Sequence, residues 1–514
     1  MHDTVHIENR PPNRLFIRKI VPVISLTFIC VPLIISPFFP LTALMFYLIY
    51  VSLWLIRSCY YSIYLCYSFY IVRKMQRVDW HKALSHPDLK GVPSRLKKDL
   101  KEPWINPKEV HHIVVIANSK EPYAIIEDTL RSIERTTYAK DKVHIVMAFE
   151  DRFRSVCKTN EALIKEHFSS IFPHMHFFYH PDKVAGEVRG KGPNISYAME
   201  EYVRSQHLIR HDSDKYVVTS LDADNKLPAY YFDCLSLTYA FQPYATQKSY
   251  QPLPFFFNNI WDVPFTNRLM SMTHTICQMT DSVRPGRVRN FSAHSQPLTA
   301  LIHTKFWARD TIVEDGHQYW RTYFYYQGNY DVISLLIPIY QDAVEGNGIK
   351  ATLQAQYKQL RRWAWGATDV EFVWHHMIKQ WRHLPKFHTI CLFTELVWSH
   401  IVWATAAIVM FQVSFVPFLA TLIDTRPIGF HFHVMVGQFF IYSILIIFLS
   451  LSWSWAALPP PPNKWPFVRK LGLMLEWILY PIVSIIFGSL PALESQFRML
   501  RGEEMGFDIT EKKR

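Results

Sequence analysis

The chain has 514 residues, enough for a large folded domain together with membrane segments. Its formal net charge of +12 suits basic anchoring beside apolar segments. Without a clustered basic stripe or a nucleic-acid motif, that charge does not imply a nucleic-acid partner, and none is expected.

The first element is an apolar hairpin. Arg10, Arg14, Arg18 and Lys19 precede a stretch too long for a signal core and without a small-residue cleavage site, which argues against a cleaved leader. No charged residue stands between Lys19 and Arg57, too far for one crossing of about 30 Å. Ser36-Pro37-Phe38-Phe39-Pro40 reads as a turn, because proline ends helices. Two crossings result over residues 1–74, the second running past Arg57 towards Tyr70. Arg73, Lys74 and Arg77 flank its far end. The positive-inside rule then puts the N-terminus and everything after residue 73 in the cytoplasm.

Residues 75–108 are polar and Pro-dotted and read as a linker. Strands and helices alternate over 109–349: strands at 113–117, 143–149 and 216–221, and a helix at 125–133. This predicts an α/β doubly wound sheet, in which ligands gather at the carboxyl ends of the strands. Residues 350–385 set Leu353, Tyr357, Leu360, Trp363 and Trp365 among Gln, Lys and Arg, the pattern of an amphipathic helix at a membrane surface. Apolar stretches at 388–423, 430–456 and 470–493 fill a membrane region over 386–495, with a stiff linker from Pro459 to Pro462. Residues 496–514 form a charged tail. The seven cysteines contain no CxxC pair and are odd in number, which argues against a disulfide framework or zinc site and for a reduced cytosolic setting of the soluble part. The abundant Trp and Tyr suit interfacial belts and sugar-stacking surfaces alike.

Three short motifs carry chemistry. Asp222-Ala223-Asp224 ends the strand at 216–221. Alternation along an extended segment lets both carboxylates face one site, and their hard oxygens suit Mg²⁺ or Mn²⁺ beside a diphosphate. Glu314-Asp315 sets two carboxylates side by side, and one ionised carboxylate suffices as a general base. Gln359, Arg362 and Trp363 share one helix face, where the arginine can pair with phosphate and the tryptophan offers a flat face to a sugar.

In this order and inside a membrane frame, the motifs resemble the family 2 inverting glycosyltransferases, the superfamily of cellulose, chitin and hyaluronan synthases. The resemblance covers about residues 110–365. It implies a GT-A type Rossmann-like domain inserted between N-terminal and C-terminal transmembrane helices. It also implies a nucleotide-sugar donor (UDP-sugar first), a carbohydrate acceptor, and a divalent cation, Mg²⁺ or Mn²⁺. Asp224 matches the metal ligand, Asp222 the metal or nucleotide contact, and Asp315 the base. Glu314, Gln359 and Trp363 match acceptor contacts, and Arg362 matches the diphosphate contact. Glu121 of Glu121-Pro122, Glu150 of Glu150-Asp151, and Lys191 in Arg189-Gly190-Lys191-Gly192 match nucleotide contacts. Lys120 stands where the family has Asn, and Glu150 comes first in its acidic pair.

Phe507-Asp508-Ile509-Thr510-Glu511-Lys512 resembles the gating-loop pattern F-x-V-T-x-K, with Thr510 and Lys512 reaching the nucleotide. Such a loop requires an even number of crossings after residue 385. Either 388–423 holds two passes, broken near 412–417, or one apolar stretch lies in the interface. Glu476 and Pro481 point to 470–493 as that piece.

The histidines show no recurring metal-ligand spacing and read as surface or packing residues; His317, two residues after Asp315, is the candidate acceptor contact. The expected protein is a multi-pass enzyme of the plasma (inner) membrane with a cytoplasmic catalytic domain. It extends a polysaccharide, with or without export, or adds one sugar to a lipid carrier. A catalytically silent membrane scaffold and a transporter are the alternatives of other classes.

Overall fold

The computed structural model of the protein describes residues 15–85, 102–208, 212–284, 286–423 and 427–506. Two apolar helices come first, Leu15–Ile35 and Pro40–Gln76, and the chain turns between them at residues 36–39. Both are long and apolar enough to cross a membrane. The segment expected to be a linker carries the helix Trp80–Ser85 instead, with Trp80 and Leu84 buried in the main core. The Trp80 indole N–H donates to the Met75 carbonyl at 3.0 Å. An aromatic body buried with its polar tip satisfied explains why this polar stretch folds.

Among the described residues seven strands form one sheet: β1 (His111–Asn118), β2 (Val143–Glu150), β3 (Met175–His180), β4 (Tyr216–Asp222), β5 (Lys248–Phe255), β6 (Ser295–Pro297) and β7 (Asp331–Tyr340). Their order is β3-β2-β1-β4-β6-β5-β7. β1, β2 and β4 stand where the three strands were expected, and with β3, which was not, they are parallel. The far half is not: β6 runs antiparallel to β4 and β5, and β7 pairs parallel with β5, so the sheet is mixed.

Alternation along β1 sends Val114 and Ile116 to one face and Ile113 and Val115 to the other. The first pair packs under the helices Tyr123–Glu134 and Arg154–Phe168, the second under Lys191–Ser205 and Leu298–His303. The chain steps outward from β1 to β2 and β3, then returns to the other side of β1 at β4. Strand order therefore reverses between β1 and β4, where a crevice opens at the carboxyl ends. Ala117 and Asp222 are register partners there.

The amphipathic helix is Ile349–Ala364, followed by a 3-10 turn, Trp365–Thr368, and the helix Asp369–Lys379. Its apolar face packs against protein. Leu360 is buried among Leu269, Met270, Trp477 and Phe487, and Arg361 pairs with Glu494 at 2.6 Å.

The helix Lys386–Val413 is a third candidate span. The break near 412–417 is present, but the helix after it, Val416–Ile423, is only 8 residues long and cannot make a second pass. Pro427–Ala457 follows. The run Glu476–Arg501 is a fourth candidate span by length and composition. Both its ends are nevertheless tied to the domain. Glu476 makes a two-point ion pair with Arg268, and Glu494 holds Arg361. Beyond it Glu504 pairs with Arg18 at 2.8 Å, and Arg18 stacks on Trp365 at 4.9 Å. The start of the first apolar helix, the domain and residue 504 thus meet at Arg18.

Arg268 is buried and also donates to the carbonyls of Ile260 and Val263. Glu476→Ala strips a buried guanidinium of its counter-charge, which costs about 3 kcal/mol or more. Thermal unfolding in detergent should show that loss, and the double change Arg268→Met with Glu476→Leu should recover most of it.

Candidate active site

The crevice between β1 and β4 deepens into a cavity of about 380 Å³. Glu121, Glu150, Lys191, Asp222, Asp224, Glu314, Asp315, Gln359, Arg362 and Trp363 all line it. The residues singled out by the motifs, some 240 positions apart, therefore converge.

Asp222 closes β4. Its backbone N–H donates to Asn225 Oδ1 at 2.8 Å, and Ser292 Oγ donates to its Oδ2 at 2.7 Å. Asp224 is buried, and its Oδ2 accepts from the Asp342 backbone N–H at 3.1 Å. Asn258 links the two acids, donating to Asp342 Oδ1 and to the Asp224 carbonyl.

Lys191 is the first residue of the helix Lys191–Ser205. A cation there stands against the helix dipole. Its Nζ lies 3.1 Å from Asp222 Oδ1 and 3.5 Å from Asp315 Oδ2, which offsets the cost. Burial pulls its pKa down, but Asp222, Asp315 and Glu314 together hold it above the usual lysine range. Asn194 fixes this helix start, donating to the Ala148 carbonyl at 2.8 Å.

Glu314 and Asp315 open the helix Glu314–Tyr325, where acids favour the dipole. Glu314 is buried; its pKa is raised, by burial first and by Asp315 second, against the pull of Lys191 and Arg362. A Cβ on Gly192 would stand 2.9 Å from Glu314 Cβ and 2.7 Å from the Ala308 carbonyl oxygen, so only glycine permits this approach. Asp315 Oδ1 has no hydrogen-bond donor among the described residues. His294 Nδ1 is 3.5 Å from it. The Trp307 indole N–H donates to His294 Nε2 at 3.2 Å, which assigns the ring proton to Nδ1, where it points to the Phe291 carbonyl at 3.0 Å. His294 is fully buried, and burial holds its pKa below the usual histidine range.

Stability reports Glu314 directly. Its folded pKa lies above its unfolded value near 4.5, so the native state binds the extra proton. Stability should fall as pH rises from there, by at most about 1.4 kcal/mol per pH unit. Thermal unfolding across pH should show the slope, and Glu314→Gln should flatten it.

Other expected residues divide. Glu121 is engaged by its own turn: Asn118 Nδ2 and the Ser119 N–H donate to its Oε2 at 3.0 and 2.6 Å. Glu150 pairs with Arg152 at 2.5 Å. Trp363 is ringed by His274, Phe291 and Phe256 at 5.1, 5.8 and 6.1 Å. His317 does not line the cavity. It is buried, with Nδ1 2.7 Å from Asp369 and its ring on Phe372, so the expected acceptor contact is corrected to a packing role behind Asp369. Thr510 and Lys512 lie outside the described residues; Met505, close before them, is buried beside Ile312 and Val313 of the cavity wall.

Sequence reasoning missed His294 and Asp342. Asp342 had a signal, since it follows the apolar run of β7 as Asp222 follows that of β4. His294 had none.

No protein-family model matches the chain, and no curated protein matches it. Among solved structures it is similar to a mannosyltransferase from Pyrobaculum calidifontis in complex with GDP-Man and Mn²⁺. That pair shares 14% identity over 77% of this chain and 98% of the other, with a TM-score of 0.37. It is also similar to S. aureus TarS, residues 1–349, in complex with UDP-GlcNAc: 11% identity, 78% and 94% covered, TM-score 0.32.

Proposed function

We propose that this protein transfers a sugar from a nucleotide-sugar, a UDP-sugar first, to an acceptor hydroxyl at a membrane, with inversion at the anomeric carbon. One observation carries the reading: Asp222, Asp224, Glu314, Asp315, Lys191 and Arg362 converge on one cavity at the strand carboxyl ends. A silent scaffold has no use for four acids and two cations around one cleft.

The acceptor oxygen attacks the anomeric carbon while the bond to the diphosphate breaks. Asp315 takes the acceptor proton at Oδ1, the oxygen that no described donor occupies. One base suffices for a single displacement. Lys191 and Arg362 face the diphosphate as it gathers charge. Lys191 and Asn194 of the first turn of Lys191–Ser205 line the cavity, and a helix N-terminus favours an anion there. Trp363 orients the acceptor, with Gln359 and Glu314 beside it, and Glu121 and Glu150 line the nucleotide end.

Asp222 and Asp224 fit a hard cation. Mg²⁺ and Mn²⁺ take few protein carboxylates and complete their shell with phosphate and water, so two carboxylates in one cavity form an adequate donor set. When bound, the ion neutralises the leaving diphosphate.

Basic residues at Arg18 and at Arg73 and Lys74 flank the apolar hairpin, which supports a cytoplasmic domain in the plasma (inner) membrane.

The test is nucleotide release by the purified full chain against UDP-, GDP- and CDP-sugars, with Mg²⁺ or Mn²⁺ and with chelator. Release from one donor is expected, and chelator should stop it. Silence across the panel with no nucleotide bound would move the reading to a scaffold. Product length on a gel separates chain extension from single transfer.

A further inference from the structure

The cavity does not end in the domain. Leu392, Glu395, Leu396 and Ser399 line it from the apolar helix Lys386–Val413. Steps of three and four put these residues on one face. The site therefore runs from the strand ends onto a candidate membrane span.

Charge gathers where the two meet. Glu395 pairs with Arg287 and lies 3.9 Å from Arg289. Arg289 also lines the cavity, beside Trp320, and its guanidinium stacks on Tyr319 at 4.5 Å. Two arginines thus share one carboxylate, and all three side chains keep a quarter to a third or more of their surface open. Next to them Arg284 pairs with Asp281 and stacks on Tyr60 and Tyr61 of the long helix Pro40–Gln76. Arg57 of that helix stacks on the same Tyr61 and has no carboxylate partner among the described residues. Uncompensated positive charge beside apolar helices is costly unless an anion uses it.

A free neutral glycan gives this charge nothing to bind, and a soluble anion leaves the leucine face unused. We propose that this end of the cavity holds the phosphate of a lipid-linked saccharide acceptor. Arg287 and Arg289 take the phosphate, and the hydrocarbon lies along Leu392 and Leu396. The saccharide reaches back past Trp320 and Trp363 to Asp315. The inference rests on the transferase reading and names its acceptor class. The step balances: the saccharide hydroxyl oxygen bonds to the anomeric carbon, its proton passes to Asp315, and the nucleoside diphosphate leaves with the electron pair.

The test uses farnesyl phosphate, farnesol and inorganic phosphate as probes of the full chain in neutral detergent, with affinity read by thermal shift. Farnesyl phosphate should bind about tenfold or more tighter than either partial probe, the worth of one charge-assisted hydrogen bond. Arg289→Gln and Arg287→Gln should each lose about tenfold. Glu395→Gln removes the competing carboxylate and should tighten binding, a change that misfolding cannot produce. Equal affinity for farnesol or for inorganic phosphate would overturn the proposal, as would indifference to both the arginine and the Glu395 changes. Donor cleavage in the same preparations separates the two claims. Cleavage without farnesyl phosphate binding removes the lipid acceptor and keeps the transferase, whereas binding without cleavage or nucleotide affinity does the reverse.

Discussion

Asp315→Asn is expected to leave the nucleotide-sugar bound and unreacted, with turnover lower by about 10²–10⁴-fold. The change is isosteric, and the groups around it hold their places. Lys191 keeps Asp222 at 3.1 Å, and Glu314 stays packed on Gly192. The lost dipole interaction at the start of Glu314–Tyr325 costs about 0.3–1 kcal/mol of stability, far less than the roughly 3–5 kcal/mol the rate loss represents. The two effects are therefore separable. Nucleotide release and donor affinity, measured on one preparation, decide the matter: undiminished turnover would remove Asp315 as the base, and lost donor binding would show that it holds the nucleotide instead.

The parts of this fold that were legible in the sequence are those where one local signal decides. The β1, β2 and β4 segments are apolar runs buried on both faces, and the proline-flanked turn at 36–39 has no rival reading. β3, Met175–His180, was not legible: an edge strand only half buried throughout, it has no apolar run to show. β5 hides behind Pro252 and Pro254: Pro252 sits where the ladder with β7 slips between Gln251 and Leu253, and Pro254 lies beyond the pairing with β6 at Tyr250. The site divides in the same way. Acids that end apolar strands or open helices announce themselves, whereas His294 reaches Asp315 only through the tertiary fold. His317 shows the reverse error. Two residues from Asp315 on a helix, it points about 200° away, so nearness in sequence put it on the wrong face.

Asp224→Asn should lower turnover by about 10²–10³-fold and abolish its response to Mg²⁺ or Mn²⁺. Asparagine keeps an oxygen for the Asp342 backbone N–H, which now reaches Asp224 Oδ2 at 3.1 Å, so the loop after β4 should hold its course. What goes is one negative charge, almost fully buried, in the cavity wall. Asp222 alone is a poor substitute for the pair, because its carboxylate also meets Lys191 and Ser292. The contrast with Asp222→Asn tests that division. There Lys191 loses its nearer counter-charge and leans on Asp315 at 3.5 Å, so that variant should lose stability as well as rate. Titrating the divalent ion against nucleotide release, with thermal unfolding alongside, distinguishes the two. A full metal response in Asp224→Asn would assign the cation to other residues. An equal stability loss in both variants would mean that Asp224 is a strut of the β4 loop and not a ligand.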